Sequence, residues 1–152
     1  MTRLWVDANV VLRFLTRDPP DLAARAARLM ERAESGEVRL YLSPLVLAET
    51  VWVLKSFYGH PMPEIRDVLV PLLSAPGIEV DDRGHALEAL ELSAERNVDF
   101  VDACLAVQAA AANESVCTFD STDFKRLPGR WQAPDRPNLP EGSAVERPAR
   151  DP

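Results

Sequence analysis

The hydrophobic positions fall into short apolar runs that alternate with helical spacings. Leu4-Trp5-Val6 is brief, apolar and rich in strand formers, and it runs into Asp7 and a helix-like stretch from Asn9 to Leu15. Pro19-Pro20 breaks the chain. Asp21 then stands where it would cap a helix with Leu22, Ala26, Leu29 and Ala33 on one face, ended by Gly36. Val38 to Leu42 alternates as a strand. Ser43-Pro44 pairs an N-cap residue with proline at the first helical position, and this helix is expected to reach Tyr58, before Gly59. Pro61 and Pro63 open the next helix, whose Ile65, Val68, Leu69 and Leu72 share a face and which Pro71 should kink or shorten. A strand is predicted at Ile78 to Val80. A helix capped by Asp82 and running through Arg96 should bury Leu87, Leu90 and Ala94. Another helix runs from about Asp99 to Ala112, stopped by Asn113, and the last strand is Ser115 to Phe119. Strands alternating with helices imply an α/β fold with a short parallel sheet flanked by helices.

Composition narrows this picture. Apolar residues are 47% and charged residues 27% of 152, which suits one globular domain and excludes a disordered chain. No apolar run approaches the ~18 residues of a membrane span, and no basic-then-apolar leader opens the chain, so a cytoplasmic protein without membrane partners is expected. Cys104 and Cys117 are too few for a disulfide framework. The net charge of -7 argues against a broad basic surface for nucleic acid, but it leaves room for an enzyme whose acids hold metal ions. Six of the 13 prolines lie between Pro128 and Pro152, where the charges balance. The expected division is therefore a folded domain over 1–132 and a proline-rich, flexible C-terminal tail over 133–152.

In parallel sheets, sites form where strand ends meet the following helices. Asp7 ends the first strand. Asp120 follows the last, with Asp123 three residues on. Glu49 lies in a helix that is otherwise nearly all apolar, and Asp99 and Asp102 share the first turn of an alanine-rich helix. Each has a structural alternative: Asp7 or Asp99 as a helix cap, Asp102 as a dipole contact, Asp120 and Asp123 as turn formers. Glu49 is harder to place that way, because a charge among branched apolar residues costs several kcal/mol unless paired. Together, the acids would converge at one sheet edge. Each carboxylate pair about 5 Å apart then costs roughly 3 kcal/mol, so the cluster needs protons or cations. Oxygen donors without His or Cys favour magnesium or manganese over zinc. His60 and His85 are read as surface residues.

At these positions the sequence resembles the PIN-domain family and, within it, VapC-type toxin ribonucleases. Val6 to Thr16 is similar to the family's first acidic motif, and Ser43 to Leu54, with Ala48-Glu49-Thr50, to the second. Val98 to Ala103 resembles the third and Thr118 to Phe124 the fourth. The resemblance implies a PIN-like three-layer fold and a magnesium-dependent endoribonuclease with Asp7, Glu49, Asp102 and Asp120 as its acidic site. Asp7, Asp102 and Asp120 would be the metal ligands. Asp99 and Asp123 are accessory acids, and Asp120 and Asp123 both suit the fourth position. Asn9 and Thr118 support the ligands. Arg13, Arg17, Lys125 and Arg126 are candidate RNA phosphate contacts. The resemblance also implies a homodimer and a VapB-like antitoxin partner.

Two other classes remain open. A magnesium-dependent phosphatase or phosphotransferase also uses a strand-end Asp, but this chain has Asp7-Ala8-Asn9 rather than Asp-x-Asp, and only Lys55 and Lys125 as lysines. A non-catalytic assembly protein of the same fold is the other. The helices around 21–34 and 45–58 also carry surplus apolar residues, and Trp52, Phe57 and Tyr58 would line a groove for an amphipathic partner helix.

Overall fold

A computed structural model describes residues 1–135, in two compact units: a first, Met1–Arg83, and a second that begins at Gly84. Most of the expected tail, 136–152, lies outside the described residues.

The first unit is a parallel sheet with helical crossovers. Strand β1 (Thr2–Trp5) leads into α1 (Ala8–Thr16) and α2 (Pro20–Glu34). Then come β2 (Val38–Leu42), α3 (Pro44–Ser56), α4 (Met62–Leu73) and β3 (Ile78–Val80). The strand order is β1-β2-β3, with Leu4 opposite Leu40 and Leu40 opposite Ile78. Helix α2 packs on β2 and α4 on β3, while α1 lies against α2 and α3. The central strand is the most buried, with Val38, Leu40, Tyr41 and Leu42 all in the core beside Leu47, Val51, Ile65 and Leu69. On β1 the apolar residues are split. Leu4 and Trp5 are exposed, and Val6, just past the strand, is the residue that goes inside.

Local chemistry explains the helix boundaries. Ser43 accepts the N–H of Val46 and Pro44 follows it, as the sequence pattern predicts. Helix α2 starts one residue before Asp21, with Pro19 at the N-cap position and no side-chain cap, so Asp21 lies inside the first turn instead of capping it. Helix α4 continues only two residues past Pro71, and Val68 points outward rather than into the core.

The second unit contains most of α5 (Arg83–Arg96), then α6 (Phe100–Ala111), β4 (Ser115–Cys117), a short α7 (Ser121–Phe124) and β5 (Arg130–Gln132). Strands β4 and β5 pair in parallel, with Val116 opposite Trp131, and α6 packs on both strands and on α7. Asn97 and Asn113 end their helices in the left-handed region, at φ 53° and 58°. Ala89, Leu90, Val98, Phe100, Ala103, Phe124 and Trp131 are buried. Helix α5 does bury Leu90, but Leu87 and Ala94 are only half-buried and Ala86, Ala89 and Ser93 go inside instead. The mixed α/β class with parallel strands flanked by helices is the one the sequence predicts.

Candidate functional site

In the first unit, Asp7 stands at the N-cap position of α1, yet its carboxylate makes no capping bond. The side chain is exposed and has no hydrogen-bond or ion-pair partner among the described residues. Helix capping therefore does not account for this acid. Asn9, in the first turn of α1, is also exposed.

Glu49 departs from the sequence argument. Its carboxylate is exposed on α3 and unpaired among the described residues. The apolar neighbours one turn away on either side are exposed as well, Leu45 at 82% and Trp52 at 64%. No charge is buried here, so the expected desolvation cost does not arise. The face of α3 that carries Glu49 is an open apolar surface with a free acid in it, and the next residue, Thr50, is fully buried and donates its hydroxyl to the Val46 carbonyl.

The second unit gathers four acids around the start of α6. Asp99 is the N-cap of α6, and its carboxylate accepts the N–H of Asp102 at 3.2 Å. Asp123 reaches across from α7 to accept the N–H of Asp99 at 3.2 Å and pairs with Arg126 at 3.1 Å. Asp120 caps α7 through the N–H of Thr122 at 2.9 Å, in a turn closed by the Thr118 hydroxyl, which accepts the N–H of Asp120. Asp102 is half-buried. Its pKa is pushed up to about 6, first by burial, then by the charges of Asp99 and Asp123, a hydrogen bond shared with Asp123, and the charge of Asp120. A dipole contact at the helix start favours the charged form by only about 0.3–1 kcal/mol. Burial, with the crowding of like charges added to it, outweighs that contact.

The basic residues divide. Arg126 is held by Asp123 and by the carbonyls of Arg96 and Asn97, so its guanidinium fastens α7 to the end of α5. Lys125 is half-buried and Arg17 exposed. Arg13 lines a groove between α1 and α2 together with Arg25, Arg28 and Arg32. Those three arginines escaped the sequence reading, because basic residues on the polar face of an amphipathic helix look like ordinary solvated charges. His60 is exposed and lies 3.9 Å from Glu64, as a surface residue would. His85 is only half-exposed, and its Nδ1 is buried with no partner among the described residues. Burial and the charge of Asp99 raise the Cys104 thiol to about 11, so it stays protonated and unreactive.

Among the described residues, no group of three or more His, Cys, Asp or Glu side chains is arranged to hold a metal ion as it stands. The second unit's acids instead direct their oxygens at backbone N–H groups, at Arg126 and at one another. The donor set nevertheless suits a hard divalent cation. All the groups are carboxylate oxygens, and the negative field that raises Asp102 is one that a cation would relieve. No curated protein shows a significant match to the chain. The PIN domain family model matches residues 4–130, which covers both units and all four acidic motifs. The chain belongs to the PIN-domain family, whose fold is of the nuclease type.

Proposed function

We propose that the protein is a metal-dependent endoribonuclease and the toxin of a type II toxin–antitoxin pair. The observation that carries this reading is Asp102, a half-buried acid at the start of α6 raised to about 6 by burial first and then by three neighbouring aspartates. Titratable groups with strongly shifted pKa values concentrate at functional sites.

The roles follow motif order and local environment. Asp7, Asp102 and Asp120 are assigned to hold a magnesium or manganese ion. When bound, that ion would polarise the scissile phosphate and lower the pKa of a water. Asp99 and Asp123 orient Asp102 through the hydrogen bonds of the α6 cap. Thr118 fixes the turn that presents Asp120. Glu49, exposed and unpaired, is assigned to accept the proton of the attacking water.

The toxin assignment draws support from α3. Leu45, Trp52 and Phe57 are all exposed, an apolar surface that suits an amphipathic antitoxin helix. Homodimerisation and a cytoplasmic location complete the reading, and no described helix is long and apolar enough to cross a membrane. Purified protein incubated with RNA and magnesium, with and without chelator, tests the central claim. Internal cleavage that needs the metal is expected. RNA left intact under every metal condition would leave an assembly role, and phosphomonoester hydrolysis in its place would indicate a phosphatase.

A further inference from the structure

The groove between α1 and α2 carries four arginines on an acidic chain, and the proposed chemistry does not use it. Arg13 enters it from α1 and Arg25, Arg28 and Arg32 from α2, around a cavity of about 650 Å³. No carboxylate lines it, although the chain carries a net charge of -7. Positions 25, 28 and 32 follow helical spacing, so the three guanidinium groups form a row about 10 Å long. Arg25 and Arg28 have no hydrogen-bond or ion-pair partner among the described residues. Arg32 pairs with Glu37 at 3.0 Å and Arg13 reaches the Asp18 carbonyl at 3.4 Å, which leaves each with further N–H donors. Glu37 already offsets Arg32, which leaves Arg13, Arg25 and Arg28 as the charge for an anion to meet.

The floor decides which anion. Val10, Leu22 and Leu29 supply an apolar surface between the arginines. A peptide of acidic residues alone would leave that surface unmatched. A nucleotide fits both parts, with its phosphate against guanidinium forks and its base on the apolar floor. The volume is that of a site for one small ligand, which suits a single unstacked base. The groove also opens at Asn9, two residues from Asp7.

We propose that this groove grips the phosphate backbone of single-stranded RNA and seats one unstacked base on the Val10–Leu22–Leu29 floor. The proposal rests on the nuclease reading for its choice of RNA. It is tested by the binding of a labelled single-stranded RNA oligonucleotide to the full chain, in chelator so that nothing is cleaved. Four phosphate contacts should weaken binding about 50-fold as salt rises from about 50 to 200 mM. R25Q/R28Q should bind more weakly at the lower salt and lose only about 7-fold over the same range. With metal, the same variant should raise KM and leave kcat close to wild type. Should the double variant fold poorly, R25Q and R28Q singly should each lower the salt slope by about 0.7. An unchanged slope and affinity in folded variants would overturn the proposal while leaving cleavage intact. Equal binding of duplex RNA, or displacement of the RNA by a polyglutamate peptide at matched charge, would overturn it too. RNA held through the groove but never cleaved would uphold the groove and overturn the nuclease reading.

Discussion

The carboxylate of Asp123 accepts the backbone N–H of Asp99 with one oxygen and the Arg126 guanidinium with the other, so an acid on α7 fastens the entrance of α6. Asp120, three residues earlier, is exposed and bonds only within its own turn. The two candidates for the fourth acidic position thus differ in what their loss would do. Asp123→Ala leaves an N–H and a guanidinium without their acceptor and should lower stability by about 1–2 kcal/mol. Asp120→Ala removes a cap from a four-residue helix and should cost about 0.5–1 kcal/mol. Cleavage is expected to fall by orders of magnitude in Asp120→Ala, and much less in Asp123→Ala measured well below its melting temperature. Thermal melts and cleavage rates on both proteins check this, and the reverse pattern would move the fourth position to Asp123.

Gly77 separates backbone strain from steric overlap. It sits at φ 80°, and a Cβ there would lie 2.4 Å from the Ala33 carbonyl oxygen. Gly59 has a similar φ of 74° and open space around it. Gly59→Ala should therefore cost only the left-handed penalty, about 1–2 kcal/mol. Gly77→Ala adds a collision with the backbone of α2, the helix next to β2, and should cost clearly more, about 3 kcal/mol or beyond. Denaturant titration of the two variants reads the difference.

What was legible in the sequence was mostly local chemistry. Ser43-Pro44, Asn97 and Asn113 mark their helix ends because each residue type has its own backbone preference. Asp7, Asp102 and Asp120 could be located at strand ends and helix starts without knowing any contact. Helix α7 and strand β5 escaped because Ser-Thr-Asp-Phe and Arg-Trp-Gln carry one apolar residue each, which leaves no pattern to read, whereas Ile78 and Val80 flank Glu79 in the equally short β3. Burial was the weaker inference. Glu49 looked costly among apolar neighbours, but Leu45 and Trp52 are exposed beside it, and a helix's own sequence does not say which face is covered. The arginine groove needed α1 laid against α2 before its charges became one feature.

Metal identity should follow donor hardness. With carboxylate oxygens as ligands, magnesium and manganese should both support cleavage. Calcium, larger and looser in geometry, should stabilise the protein yet support little turnover. Melting curves and cleavage rates with each ion are the check, and equal turnover in chelator would rule out a metal mechanism.

Asp102 should make the metal-free protein less stable as pH rises. Its pKa is about 6 in the folded chain, against an ordinary value of 3.8. Between those values the folded protein holds a proton that the unfolded chain has released. Stability from this group is therefore present at low pH and lost as pH rises through about 6. A shift of that size corresponds to ~3 kcal/mol at most, and because Asp102 is partly solvated, ~1 kcal/mol is the realistic share. Glu79 has the opposite sign, since Arg3 lowers its pKa, and its contribution is lost only below about pH 4.5. The window from about pH 5 to 8 thus isolates Asp102. Asp102→Asn removes the charge and keeps the size, so without metal it should melt above wild type at pH 8, with the gap roughly halved by pH 5 and closed only below about pH 3.8. Magnesium at pH 8 should stabilise wild type more than the variant, because a ligand charge is missing, and cleavage by the variant should fall by orders of magnitude. If the two melting curves ran parallel across the window and Asp102→Asn still cleaved RNA, Asp102 would be a helix-start acid and nothing more.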